Sequence, residues 1–269
     1  STNHLDEARQ TLAQRLAASN AQTLSATIGQ TQRLLARVPD KTKAASMLKE
    51  LLEPYRDSLD ARLALVQMSV ATGDQTTAVR EAREALEKNP RSELAVLALA
   101  QVVTDKDQSI KLLADFLQKY PKSREVRLAY SRKLFEQGKV AEAKTEFKTL
   151  LQYAPQDQTA LYAIGLLSVQ TNELADAEKY LAAYIKTLNG KPDHERDASQ
   201  ALMVLAQIAE DRHDIDGALK WLDLVEQSSQ STYIGAVLKR AQLLAKSGKL
   251  SQARETLSEI DTENNDDRI

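Results

Sequence analysis

Residues 138–155 read GKVAEAKTEFKTLLQYAP, and three marks in this run decide the fold. Gly138 opens it, Ala143 stands alone among larger apolar side chains, and Pro155 closes it. The same marks recur along the chain. Aligned on the small residue after each opening, the sequence gives Ala44, Ala78, Ser109, Ala143, Ala177, Ala218 and Ala253, at separations of 34, 31, 34, 34, 41 and 35 residues. Four positions later stand Leu48, Ala82, Leu113, Phe147, Leu181, Leu222 and Leu257, each apolar or small. Five positions earlier stand Gly73, Gly138, Asn172, His213 and Gly248, residues suited to the left-handed conformation that ends a helix. Twelve positions later Pro90, Pro121 and Pro155 are placed to stop a second helix. A period this long, punctuated this way, is a repeated helical pair.

Upstream of the turns lie further apolar helices: ARLALVQMSVATG, EVRLAYSRKLFEQG, TALYAIGLLSVQTN, QALMVLAQIAEDRH and GAVLKRAQLLAKSG. The first helix of each unit carries a small residue at its centre, Ala100, Ser131, Gly165, Ala206 or Ala241, with Val66 the bulkiest. Small residues on two facing helices let the backbones approach, and the flanking Leu and Phe side chains fill the grooves beside them. Neither helix can bury its apolar face alone, so neighbouring pairs must stack.

Composition agrees. The 269 residues include only eight glycines, six prolines and 4% aromatics, and the residues that lose least on helix formation dominate. The chain reads as all-α, without strand-favouring runs. With 36 basic and 38 acidic residues, the net charge of -2 offers no surface for neutralising many phosphates or gripping an anionic membrane, so nucleic acid is not an expected partner. Apolar runs such as Leu161 to Val169 are too short for a bilayer span, and Ser1 opens no signal segment. The absence of cysteine removes disulfides and thiolate metal sites and leaves the compartment undecided.

No constellation for chemistry stands out, and no catalytic, cofactor-binding or metal-binding residue is assigned. His4, His194 and His213 lack second ligands or nucleophiles at useful spacing. KSGK at Lys246 lacks the glycine and hydroxyl of a phosphate loop, and HERD at His194 is not the zinc helix motif. Asp60 with Arg62, and Glu142 with Glu146, read as solvated surface charge. Trp221, beside the apolar Leu222, reads as packing beneath a nearby insertion. Enzyme activity is not expected.

These residues resemble the tetratricopeptide-repeat family, over roughly residues 25 to 260 and most specifically over 59 to 188. The resemblance implies a right-handed superhelical solenoid of antiparallel helix pairs: an N-terminal helix in residues 1–24, as a cap or half repeat, then an array of about seven pairs in 25–269. Departures carry expectations of their own. Thr31, Gln32 and Pro39 suggest a splayed first pair, and TDKDQS shortens the third unit's turn by three residues. Seven extra residues between Tyr184 and Ala201 must lengthen a helix or bulge as a loop. Ala8, Leu12 and Leu16 have the spacing of a second helix without its first, and IDTENNDDRI is too polar to continue the core. The expectation is a fragment of a longer array, with self-association through end repeats a consequence of missing caps.

In such arrays the first helix of each unit lines the inner groove, so the resemblance directs attention to its fifth and ninth places. The fifth are Leu63, Leu97, Leu128, Tyr162, Met203 and Leu238; the ninth are Gln67, Gln101, Arg132, Leu166, Gln207 and Gln242. An apolar row beside an amide-rich row suits a bound peptide, while the same leucines also suit packing between neighbouring helices. The family's clamp for carboxylate termini uses Lys and Asn in this groove, and no lysine stands at these places. REVRLAYSRKLFEQGKVAEA, LYAIGLLSVQTNELADAEKYL and LAQIAEDRHDIDGALKWLDLV are similar to one branch, the long lipoproteins anchored to the outer membrane of Gram-negative bacteria. That resemblance implies a non-catalytic periplasmic adaptor, with its lipid anchor outside this stretch, holding a carboxy-terminal processing protease and its cell-wall hydrolase substrates together. The alternative is a targeting or substrate-recognition module of a larger enzyme, for which a cytoplasmic location stays open.

Overall fold

The turns set the architecture. In the computed structural model, which describes residues 2–188, 195–225 and 230–263, backbone φ is positive at Gly73, Gly138, Asn172, His213 and Gly248, the five positions expected from the repeat. All five close their helices alike. The residue itself donates its N–H to the carbonyl three back, and the next residue donates to the carbonyl five back, as with Gly73 to Val70 and Asp74 to Ser69. This reverse-turn closure satisfies carbonyls that the helix end leaves open.

The chain divides into two compact units, residues 1–139 and 140–269. The first holds α1 (Thr2–Ala17), α2 (Leu24–Leu35), α3 (Lys41–Leu52), α4 (Leu59–Thr72), α5 (Gln75–Lys88), α6 (Glu93–Val102), α7 (Lys106–Lys119) and α8 (Arg124–Glu136), with a 3-10 turn at Glu53–Tyr55. The second holds α9 (Val140–Tyr153), α10 (Gln158–Gln170), α11 (Leu174–Thr187), α12 (Glu195–Asp211), α13 (Ile215–Asp223), α14 (Gln230–Lys246) and α15 (Leu250–Glu263). Each described residue in regular structure is helical. Helix starts follow a rule the repeat also carries. Two residues after Pro90 and Pro155, Ser92 and Asp157 accept a hydrogen bond from the third backbone N–H onward, while Asp74 and Asp214, just after their left-handed residues, cap α5 and α13 in the same way.

Packing follows the small residues. Ala44, Ala78, Ser109, Ala143, Ala177, Ala218 and Ala253 are all buried. In the first unit, Ser109 of α7 donates its hydroxyl to the Ala100 carbonyl of α6 at 2.6 Å, so two crossing positions meet directly. In the second unit, a Cβ on Gly165 of α10 would lie 2.5 Å from Cγ and Cδ2 of Leu181 on α11, and Leu181 is itself fully buried. Of the seven residues four places on, six are buried and Leu257 on α15 is exposed. The core of the first unit gathers Leu12, Leu16, Ile28, Leu48, Leu52 and Leu65 around α1–α4, and continues through Val96, Leu113 and Phe116. That of the second gathers Leu161, Leu181, Leu205, Leu222 and Leu243.

Several expectations change. Leu12 and Leu16 are buried, but Ala8 is exposed, because α1 turns only one narrow edge toward α2 and α3. Thr31 is buried, and α2 leans more on α4 than on its own partner α3, as a loosened first pair would. The shortened turn of the third unit dispenses with a left-handed residue: Val103 is extended, and Asp105 caps α7 at once. Part of the insertion lengthens α12, while residues 189–194 lie outside the described set.

The largest correction concerns Arg62. It is not surface charge. Arg62 of α4 is 3% exposed and pairs with Glu81 of α5, which is 1% exposed, at 3.1 Å and with Glu84. Arg56 at 2.5 Å and Arg80 at 3.2 Å complete the set around the Glu81 carboxylate. A buried carboxylate survives in that place only because guanidinium groups replace its lost hydration.

Two outcomes follow from this packing. Gly165→Leu is expected to lower stability by about 1–3 kcal/mol in chemical melts, despite leucine's better helix propensity, because Leu181 has nowhere to go; unchanged stability would mean α10 and α11 do not cross there. Glu81→Leu is expected to cost about 3 kcal/mol or more by leaving the buried Arg62 with only the part-exposed Glu84 as partner, and adding Arg62→Met should restore most of that loss. Additive losses in the double variant would show that the two side chains act independently.

Candidate protein-binding faces

The first helices of successive pairs pack side by side within each unit: α2, α4, α6 and α8 in the first, α12 with α14 in the second. Positions five, nine and twelve are one helical turn apart in succession and so share a face. In the first unit Leu63 and Leu97 are half-buried, and Leu128 is buried at 8% exposure. Gln67, Gln101 and Arg132 are exposed. The ninth place therefore reaches solvent while the fifth leans into the crevice between helices. Leu128 serves packing, whereas Leu63 and Leu97 retain an open edge. The Gln32 amide donates to the Gln67 carbonyl oxygen, which links α2 to α4 along the amide row. At the twelfth place Val70 and Phe135 are exposed, apolar residues that the reading by fifth and ninth places passed over.

In the second unit Tyr162 and Met203 are half-buried, and Leu238 is 51% exposed. Gln207 and Gln242 are exposed, and Leu166, where other repeats place a polar side chain, is 36% exposed. Tyr162 donates its hydroxyl to Gln200 Oε1 at 2.9 Å and stacks at a tilt on Tyr184, 5.0 Å between centroids, which holds the ring along the α10–α12 crevice. Val169, at the twelfth place, is exposed beside Leu166. Gln207 donates to Asp211 at 2.7 Å, tying up part of its amide.

Charge at the end of α12 is organised rather than scattered. Glu210 pairs through Oε2 with Lys239 at 2.5 Å and accepts at Oε1 from Lys246 at 3.1 Å, both on α14. The Lys239 ammonium, opposed by partial burial and helped by Lys246, holds this carboxyl below its ordinary value of 4.5. Lys144, buried on α9, pairs with Glu173 at 2.8 Å in the turn before α11, and Lys148 pairs with Asp176 at 3.1 Å. These ions join neighbouring elements of the second unit. His213 sits in its left-handed turn, and Trp221 packs half-buried against the two cores of this unit. His194 lies outside the described residues. Among the described residues no three His, Asp or Glu side chains converge so as to hold a metal ion, and no helix is long and apolar enough to cross a membrane.

Left-handed turns, small crossing residues and adjacent first helices are the geometry of one fold. A tetratricopeptide-repeat family model matches residues 104–164 and 134–195. The fold is that of a tetratricopeptide-repeat array. The C-terminal part of a tetratricopeptide repeat-containing protein from Cytophaga hutchinsonii superimposes with a TM-score of 0.65 at 10% identity, covering 87% of this chain and 95% of that one. PilF of Pseudomonas aeruginosa gives 0.54 at 20% identity, covering 84% and 93%. A chain of the Cut9–Hcn1 hetero-tetramer of the APC/C gives 0.51 at 12% identity, covering 94% of this chain and 49% of that one. No curated protein matches the sequence.

The tetratricopeptide array gives Glu210 a measurable role. Its depressed folded-state pKa means that it adds stability above pH 4.5, lost as the pH falls through the lowered value. Glu210→Gln is expected to melt earlier than the parent at neutral pH and to lose less on acidification from about pH 5 to about pH 3. Parallel acid profiles for the two proteins would assign the loss to other carboxylates.

Proposed function

We propose that this chain is a non-catalytic scaffold that binds partner proteins on the faces of its first helices. The observation that carries this reading is the exposed ninth-place row, Gln67, Gln101 and Arg132 in one unit and Leu166, Gln207 and Gln242 in the other, beside a half-open apolar row. Amides and a guanidinium on a preformed surface can pair with a polypeptide backbone while its side chains enter the crevices between helices. A helix face that is already assembled within one unit loses little entropy when it binds. The solved assembly of Cut9 with Hcn1 supports the use of this fold in protein complexes.

The finer form of the proposal is an adaptor anchored at the outer membrane and working in the periplasm, bringing a carboxy-terminal processing protease to cell-wall hydrolases. It rests on the likeness of residues 124–143, 161–181 and 205–225 to that branch of repeat lipoproteins. Holding both partners on one molecule raises their mutual effective concentration, and such linkage strengthens binding by about 10²–10⁴ without new contacts.

The test is reconstitution. The protein mixed with such a protease and hydrolase is expected to co-elute with both and to speed hydrolase cleavage about tenfold or more at sub-saturating concentrations. Gln67→Ala with Gln101→Ala and Arg132→Ala, all exposed and hence compatible with unchanged helicity, is expected to weaken capture of at least one partner. Failure to bind either protein would overturn the adaptor form, and unchanged capture by the triple variant would remove the first unit's face from it.

A further inference from the structure

The side of α4 that faces away from Gln67 lines a cavity. Leu65, Met68, Ser69 and Thr72 form one stripe of that helix, and with α3 and the start of α5 they bound about 340 Å³, at the small end of the about 300–1,000 Å³ that small-molecule sites occupy. The floor is buried and only partly apolar. Leu65 and Met68 supply its greasy part, while Ser69, 7% exposed, lines it with a hydroxyl that donates to none of the described residues. The Thr72 hydroxyl, by contrast, is spent on the Met68 carbonyl at 3.2 Å. A buried hydroxyl without a partner is costly, so Ser69 is a group that a polar ligand would satisfy.

The charges at the cavity select the ligand. Glu81 reaches it but is already neutralised by Arg56, Arg62 and Arg80. The remaining two are Lys49 of α3 and Asp74 at the head of α5, both exposed at its mouth, and neither forms an ion pair with a described residue. The Thr77 hydroxyl and N–H hold the Asp74 carboxyl below its ordinary 3.8, with weaker through-space help from Arg80 and Lys49. Lys49 is therefore near enough to be felt by Asp74 without closing on it. A simple anion drawn to Lys49 would also meet Asp74, and a simple cation drawn to Asp74 would meet Lys49. A molecule carrying both charges meets neither penalty.

We propose that the cavity between α3, α4 and α5 binds a small zwitterion, an amino acid or a dipeptide, with its carboxylate on Lys49, its ammonium on Asp74, a polar group on Ser69 and its side chain against Leu65 and Met68. The site goes beyond the scaffold reading, because it uses second helices and the side of α4 opposite the ninth-place row. Its ligand would touch helices of two successive pairs. Binding would therefore tie the loosened first pair to the second, and any ligand held only by the folded form raises stability as its concentration rises.

The experiment titrates the whole chain calorimetrically with alanylleucine, its N-acetyl form, its C-terminal amide and free leucine. At least one of the two zwitterions is expected to bind saturably and to raise the melting temperature. Alanylleucine tighter than leucine assigns the cavity to a dipeptide, and the reverse assigns it to an amino acid. Blocking either end of the better zwitterion is expected to weaken binding about tenfold or more, the loss that accompanies one charged hydrogen bond. Lys49→Gln is expected to remove the discrimination against the amide, and Asp74→Asn, which keeps an oxygen to cap α5, to remove that against the blocked amine. Should Asp74→Asn fail to fold, Asp74→Ser gives the same reading. Gln67→Ala with Gln101→Ala is expected to leave binding intact. No saturable binding of either zwitterion, equal binding of the blocked forms, or unchanged affinity and discrimination in the folded Lys49 and Asp74 variants would each overturn the proposal. Those results leave co-elution with two protein partners untouched, so loss of this inference and loss of the scaffold reading are told apart.

Discussion

Close approach of two backbones at small residues is the constraint from which the rest of the array follows. Where Gly165 faces Leu181, there is no room for even one added carbon, and where Ser109 faces α6, its hydroxyl reaches the Ala100 carbonyl. Helices held this near place their flanking Leu side chains in the grooves beside the crossing, and these side chains are the most buried in each unit. Because each pair buries only one side of itself, the other side must be covered by the next pair. Stability is thus local and additive along the chain, which is why a departure such as the loosened α2–α3 pair can be tolerated when α2 leans on α4 instead.

The turn supplies the second constraint. An antiparallel return within a few residues needs one residue with positive φ, and glycine, asparagine and histidine take it here in five of the pairs. Asparagine and histidine cost more than glycine in that conformation but remain among the residues that adopt it. The third pair reaches the same end differently: with its turn shortened, Val103 stays extended and Asp105 opens α7 immediately. Loss of three residues therefore changes the turn and leaves Ser109 in its crossing position.

This division explains what could be read without coordinates. The crossing residues and left-handed turns are set by steric rules within one or two helical turns, so residue type and spacing disclosed them. The ninth-place row was legible for the same reason, since i to i+4 spacing fixes a face. Arg62 was not, because its burial depends on Glu81, nineteen residues away on another helix, and no local pattern announces that pair. One signal did exist: Glu81 lies among Ala78, Ala82 and Ala85 on the buried edge of α5, a place where a carboxylate requires a cationic partner. The fifth-place row divided for a related reason. Leu128 is buried and Leu238 exposed because their exposure depends on the neighbouring helices, not on their own helix's spacing.

Since crossings and turns define the frame, the outward places on the first helices are released from it and can vary without loss of the fold. The variation here is not random. The first unit presents amides and Arg132, which match backbone and carboxylate groups; the second presents Leu166 and Val169 on a helix without charged residues. Leucine stands 36% exposed at a place where the preceding repeat keeps Arg132 and the following one Gln207, while Gly165 and Leu161 take the buried side of α10. Specificity on such a scaffold lies in the few exposed positions where one repeat differs from the next.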